Sequence, residues 1–127
     1  MQTPLIYGRS RSEAVQYVVR RESEIAAMHP LLFRAIGFEK LALDQREALC
    51  QGLEQIRLPP RIGEATVRAA LESPDDPRAE ARGYDDTRWG NAEMAIARIV
   101  GGARERRDEV RMKFGLAVRI ARLATSQ

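Results

Sequence analysis

Wherever this chain is apolar, its apolar residues recur at intervals of three and four, and no stretch alternates apolar and polar residues with β-branched enrichment. A half-buried strand needs period-2 alternation; the three–four spacing is that of a helix with one buried face. The pattern predicts an all-α fold: a compact bundle of five or six helices with a long basic C-terminal helix and little or no sheet. The chain is 127 residues long, the length of a single helical domain. A chain of this size buries roughly two-thirds of its unfolded surface, so its core needs no disulfide or metal.

Capping and breaking residues set the expected boundaries. Residues 1–9 read as an irregular N-terminal arm. Ser10 with Glu13 forms a capping box for a first helix over about 11–28, with Val15, Val18, Val19, Glu22 and Ala26 at helical spacing and Gln16, Arg20 and Glu24 on its outer side. His29-Pro30 ends that helix and opens another, strongly apolar one that stops at Gly37. Asp44 with Glu47 reads as a second capping box, and Leu49, Leu53 and Ile56 are its inward stripe before Pro59-Pro60. A shorter helix follows from Gly63 to Glu72, with Val67 and Leu71 expected in the core. Residues 73–90 are rich in Pro, Asp and Gly and read as an acidic loop region. Asn91 is the expected cap of the last helix, which runs to about Ala124 with a weak point at Gly101-Gly102.

Composition limits function. No apolar run approaches the roughly 18 residues of a membrane span, so no membrane association is expected. The first residues lack the apolar stretch of a secretory signal. Cys50 is the only cysteine, which excludes intrachain disulfides and multi-cysteine metal centres and suits a cytoplasmic protein. With His29 the only histidine, no metal site and no cofactor are expected. No phosphate-cradling glycine loop and no G-x-S-x-G motif occurs, so the chain does not read as an enzyme. His29 reads as a helix-entry residue and Cys50 as a structural thiol.

Charge is uneven. The net charge is +3, and 19 of the 21 basic residues are arginines. Residues 59–90 are net −2 and residues 91–127 net +4. On the last helix Arg104, Arg107, Arg111, Arg119 and Arg122 fall within one arc of about 120°, at 100° per residue. Gly115 lies mid-arc, where a backbone could approach closely. Such a stripe suits a phosphate backbone or an acidic partner. It reads equally as a solvated face of ordinary ion pairs, or as a face covered by the acidic segment 72–86.

Two further features point outward. Gly63 to Glu72, with its Thr66-Val67-Arg68 core followed by Ala-Leu, resembles the recognition helix of bacterial helix-turn-helix regulators of the GntR type. The resemblance spans about ten residues and implies DNA contacts from Thr66 and Arg68. Pro59-Pro60 stands where that family has a preceding helix and tight turn, and 82–89 lacks the alternation of a wing. Tyr84 and Trp89 lie before the last helix and could anchor a partner or pack on the helix junction. The carboxylates Glu72, Asp75, Asp76, Glu80, Asp85 and Asp86 lack EF-hand spacing and read as turn caps.

Together these features lead to two expected functions. One is a small cytoplasmic regulator that associates with nucleic acid through the arginine stripe. The other is a helical adaptor or inhibitor that docks on a protein partner. A homodimer is expected under either, because Met112, Leu116, Ile120 and Leu123 add a second apolar side to the last helix.

Overall fold

The computed structural model describes residues 10–126. The expected arm 1–9 lies outside them. The described residues form seven α-helices and one short 3-10 turn, with no strand. The helices are α1 (Arg11–Met28), α2 (Pro30–Ile36), α3 (Leu43–Leu53), α4 (Glu64–Glu72), α5 (Pro77–Arg82), α6 (Asp86–Ile99) and α7 (Arg104–Thr125); the 3-10 turn is Phe38–Lys40.

Local chemistry accounts for the ends. The Ser10 hydroxyl accepts from the Glu13 amide at 3.2 Å, and the Glu13 carboxylate accepts from the Ser10 amide at 2.9 Å. Pro30 opens α2, and Gly37 closes it in the left-handed region at φ +70°, where a side chain would be strained. The start of α3 differs from the expected Asp44–Glu47 box. Ala42 is the cap, and its amide donates to the Gln45 side chain at 3.0 Å. Asp44 is thereby left to pair with Arg106, and Glu47 is buried.

Two corrections fall between 73 and 103. The expected acidic loop contains α5 and the first turns of α6, because Asp76 caps one and Asp85 the other. They accept from the amides of Arg78 at 2.9 Å and Arg88 at 3.0 Å. Asn91 therefore lies inside α6 rather than at a cap. The long final helix is also divided: residues 100–103 leave helical geometry, with Gly102 at φ +82°. These changes raise the helix count above the expected five or six.

The packing converges on α7, which lies against α2, α3, α4, α5 and α6, while α1 packs on α2 and α3. Val110, Phe114, Ala117, Val118 and Ala121 form its inward stripe. Phe38, Leu32, Ile36, Leu49 and Ile96 complete the centre of the core, each fully buried side chain contributing about 1.5–3 kcal/mol. The second apolar side of α7 is largely covered within the chain. Ile120 is buried, and Leu116 and Leu123 are half-buried against the core.

Two helices bury only part of the expected face: Val18, Glu22 and Val67 point inward as expected, while other positions differ. On α1 the inward residues are Ala14, Tyr17, Val18, Glu22 and Ile25, leaving Val15 and Val19 exposed. On α4 they are Thr66, Val67 and Ala70, leaving Leu71 55% exposed. No helix among the described residues is long and apolar enough to cross a membrane.

Candidate functional site

The five arginines of the α7 arc do not form one open track. They divide at Gly115, where the N-terminus of α5 crosses the helix. A Cβ added at Gly115 would lie 3.0 Å from the Arg78 amide nitrogen and nearer still to the Pro77 carbonyl. Only glycine permits so close a crossing.

On the C-terminal side of that crossing, α5 and its preceding loop close over the arc. Arg119 is 4% exposed. Its guanidinium donates to the Asp75 carbonyl at 2.7 Å, the Ala70 carbonyl at 3.3 Å and the Glu80 carboxylate at 3.4 Å. Arg122 pairs with the other oxygen of Glu80. Arg119 thus ties the last turn of α4 and the loop after it to α7, and it does not face solvent as a phosphate track requires. The acidic segment covers Arg119 within the chain and pairs with Arg122, whose side chain stays half exposed.

On the N-terminal side the arginines surround a concave basin. Arg104, Arg107 and Arg111 of α7 face Arg78 and Arg82 of α5, and Asp76, Trp89, Glu93 and Asp108 complete the lining around a cavity of about 520 Å³. Five guanidiniums meet three carboxylates there, so the basin is net positive. The arginines are not equivalent. Arg111 donates through Nε to Glu93 at 2.9 Å and through Nη1 to Asp108 at 2.7 Å. Those carboxylates hold its proton more firmly than usual, the Glu93 hydrogen bond most of all. Arg78 is paired with Asp76 at 2.9 Å. Arg107 donates Nη1 to the Gly102 carbonyl at 3.2 Å and the Val100 carbonyl at 3.4 Å, which fixes its plane against the α6–α7 turn. The Arg104 side chain is 82% exposed, with Asp108 3.7 Å away, and Arg82 is exposed on the rim.

Trp89 is the basin's aromatic wall. It lies in α6, half-buried, with its ring stacked on Phe114 at a centroid distance of 5.9 Å and 25° between planes. Tyr84 lines a different cavity, of about 580 Å³, with Arg57, Leu58, Pro59, Pro60 and Ala121. The two aromatics therefore do not form one anchor.

Thr66 and Arg68 are separated by the packing of α4. Thr66 is 2% exposed, because α4 turns that face toward α2 and α7. The DNA contact that the resemblance implies for Thr66 is closed off. Arg68 is exposed and pairs with Glu64 at 2.7 Å, on an element that contributes nothing to the basin. Of the carboxylates of 72–86, Asp76 and Asp85 cap helices and Asp76 and Glu80 pair with arginines, and no group of His, Cys, Asp and Glu among the described residues is placed to hold a metal. His29 is buried, with no hydrogen-bond partner for Nδ1 among the described residues, and burial lowers its pKa. Burial pushes the Cys50 thiol up to about 12, far from the thiolate a nucleophile needs.

Arg78 and Arg82 are the site residues that sequence reasoning missed. The Asp76-Pro77 pair, a cap followed by a first-turn proline, is the signal that could have placed them on a helix. No family model, no curated protein and no solved structure matches the chain.

Proposed function

We propose that the protein is a small non-enzymatic cytoplasmic regulator that associates with nucleic acid through the arginine basin between α5, α6 and α7. The observation that carries this reading is the convergence of Arg82, Arg104 and Arg107 on one net-positive concavity, with Arg107 held by backbone carbonyls and Arg104 highly exposed beside Asp108. Arginine's planar fork matches phosphate oxygens, and low-salt binding follows from counterion release.

The test is binding of a mixed 30-mer duplex and of its single strand at several salt concentrations. Two or three phosphate contacts predict a log–log salt slope of about −2. Arg82→Glu, Arg104→Glu and Arg107→Glu together abolish binding, whereas Arg68→Glu on α4 leaves it unchanged. Absence of binding by both probes at the lowest salt overturns the proposal.

A second reading, docking on a protein partner as an adaptor or inhibitor, draws on the Tyr84 cavity. Its walls are largely apolar, from Leu58, Pro59, Pro60 and Ala121, with Arg57 exposed beside them. This reading expects Tyr84→Ala to release a protein partner that the basin triple variant retains.

A further inference from the structure

We infer that the basin takes single-stranded nucleic acid in preference to duplex, with one base packed against Trp89 and the adjoining phosphates held by Arg82, Arg104 and Arg107. This deepens the nucleic-acid reading and rests on it. A duplex presents its phosphates on a convex ridge and keeps its bases stacked inside, so it can use only the rim of a concavity. A single strand can turn a base inward, and the wall it would meet here is aromatic.

Three features of the site fit that ligand. The ring of Trp89 is held by stacking on Phe114, so a base would meet a preorganised surface rather than a mobile side chain. Arg107 is fixed by two backbone carbonyls through one nitrogen, which leaves its other donors for a phosphate. Arg111 and Arg78 are engaged by Glu93, Asp108 and Asp76, so they shape the wall and leave phosphate contact to the exposed Arg82 and Arg104 and the half-buried Arg107. The cavity of about 520 Å³ falls within the range of small-ligand sites, large enough for one nucleotide unit.

Trp89 is the only tryptophan, so its fluorescence reports on this wall alone. The experiment titrates the full chain at low salt with three probes of equal length: an oligothymidylate, a mixed duplex, and an abasic strand that keeps the phosphates. The expected result is quenching of Trp89 by oligothymidylate, with binding about tenfold tighter than to the abasic strand or the duplex, the scale of one base–aromatic stack. The abasic strand binds without quenching. Anisotropy of labelled probes then shows Trp89→Leu losing that tenfold for oligothymidylate only. Since Trp89 also packs on Phe114, the quenching of the unaltered protein carries the test if this variant fails to fold. Equal binding of all three probes without quenching overturns the preference and leaves the nucleic-acid reading standing. Failure of every probe to bind overturns both.

Discussion

Arg119 is a buried cation, and most of its partners are backbone carbonyls rather than carboxylates. It completes the hydrogen bonding of the Ala70 and Asp75 carbonyls and shares Glu80 with Arg122. Arg119→Met would remove the charged donor that ties the Asp75 and Ala70 carbonyls and Glu80 to α7, and we expect a loss of about 3 kcal/mol in urea unfolding. Arg119→Lys should recover only part of it, because an ammonium cannot span acceptors that a planar fork reaches together. The angular position of Arg119 was legible in the sequence, and what covers it was not. Spacing along one helix defines an arc, but the neighbour facing that arc depends on residues 39 to 49 positions away. The same holds for Tyr17 and Glu22 on α1, whose partners Glu54 and Arg46 lie far along the chain. Polar residues on the buried face shifted the apparent hydrophobic stripe toward Val15 and Val19.

At the scale of elements, α5 is the piece on which the site depends. It is six residues long, too short to hold its conformation alone. Its place is set by the Gly115 crossing and by the Glu80 ion pairs. Gly115→Ala should therefore displace α5 and cost about 3 kcal/mol, the upper range for overpacking. It should also weaken nucleic-acid binding severalfold without touching a basin side chain; thermal unfolding and the salt titration together check both effects. The sequence announced most of the other elements. Ser10–Glu13, Pro30 to Gly37 and Gly63 to Glu72 stand where their caps and breakers put them. Segment 73–90 reads as a loop in sequence because Pro, Asp and Gly mark helix starts as well as turns, and two aspartates here cap helices. The division at Gly101-Gly102 was visible as a weak point, but its depth required the φ of Gly102.

For the whole molecule, acid acts twice in the same direction. His29 is buried and its pKa lies below the ordinary 6.5, so the unfolded chain binds its proton first. The stability it contributes is complete above pH 6.5 and falls as pH drops below that. Asp44 is held below its ordinary 3.8, chiefly by the hydrogen bond from Arg106, so its contribution is lost only as pH falls through and below 3.8. Thermal unfolding between pH 8 and 3 should show two successive declines in Tm. His29→Gln removes the first decline and Asp44→Asn shrinks the second.

The seating of α5 gives the basin a character of its own. A wall made from a helix that cannot persist alone is present only while its anchors hold. Apparent affinity is then the intrinsic affinity scaled by the fraction of time the wall is closed. A residue such as Gly115, which touches no ligand, thereby becomes a determinant of how tightly a ligand is held.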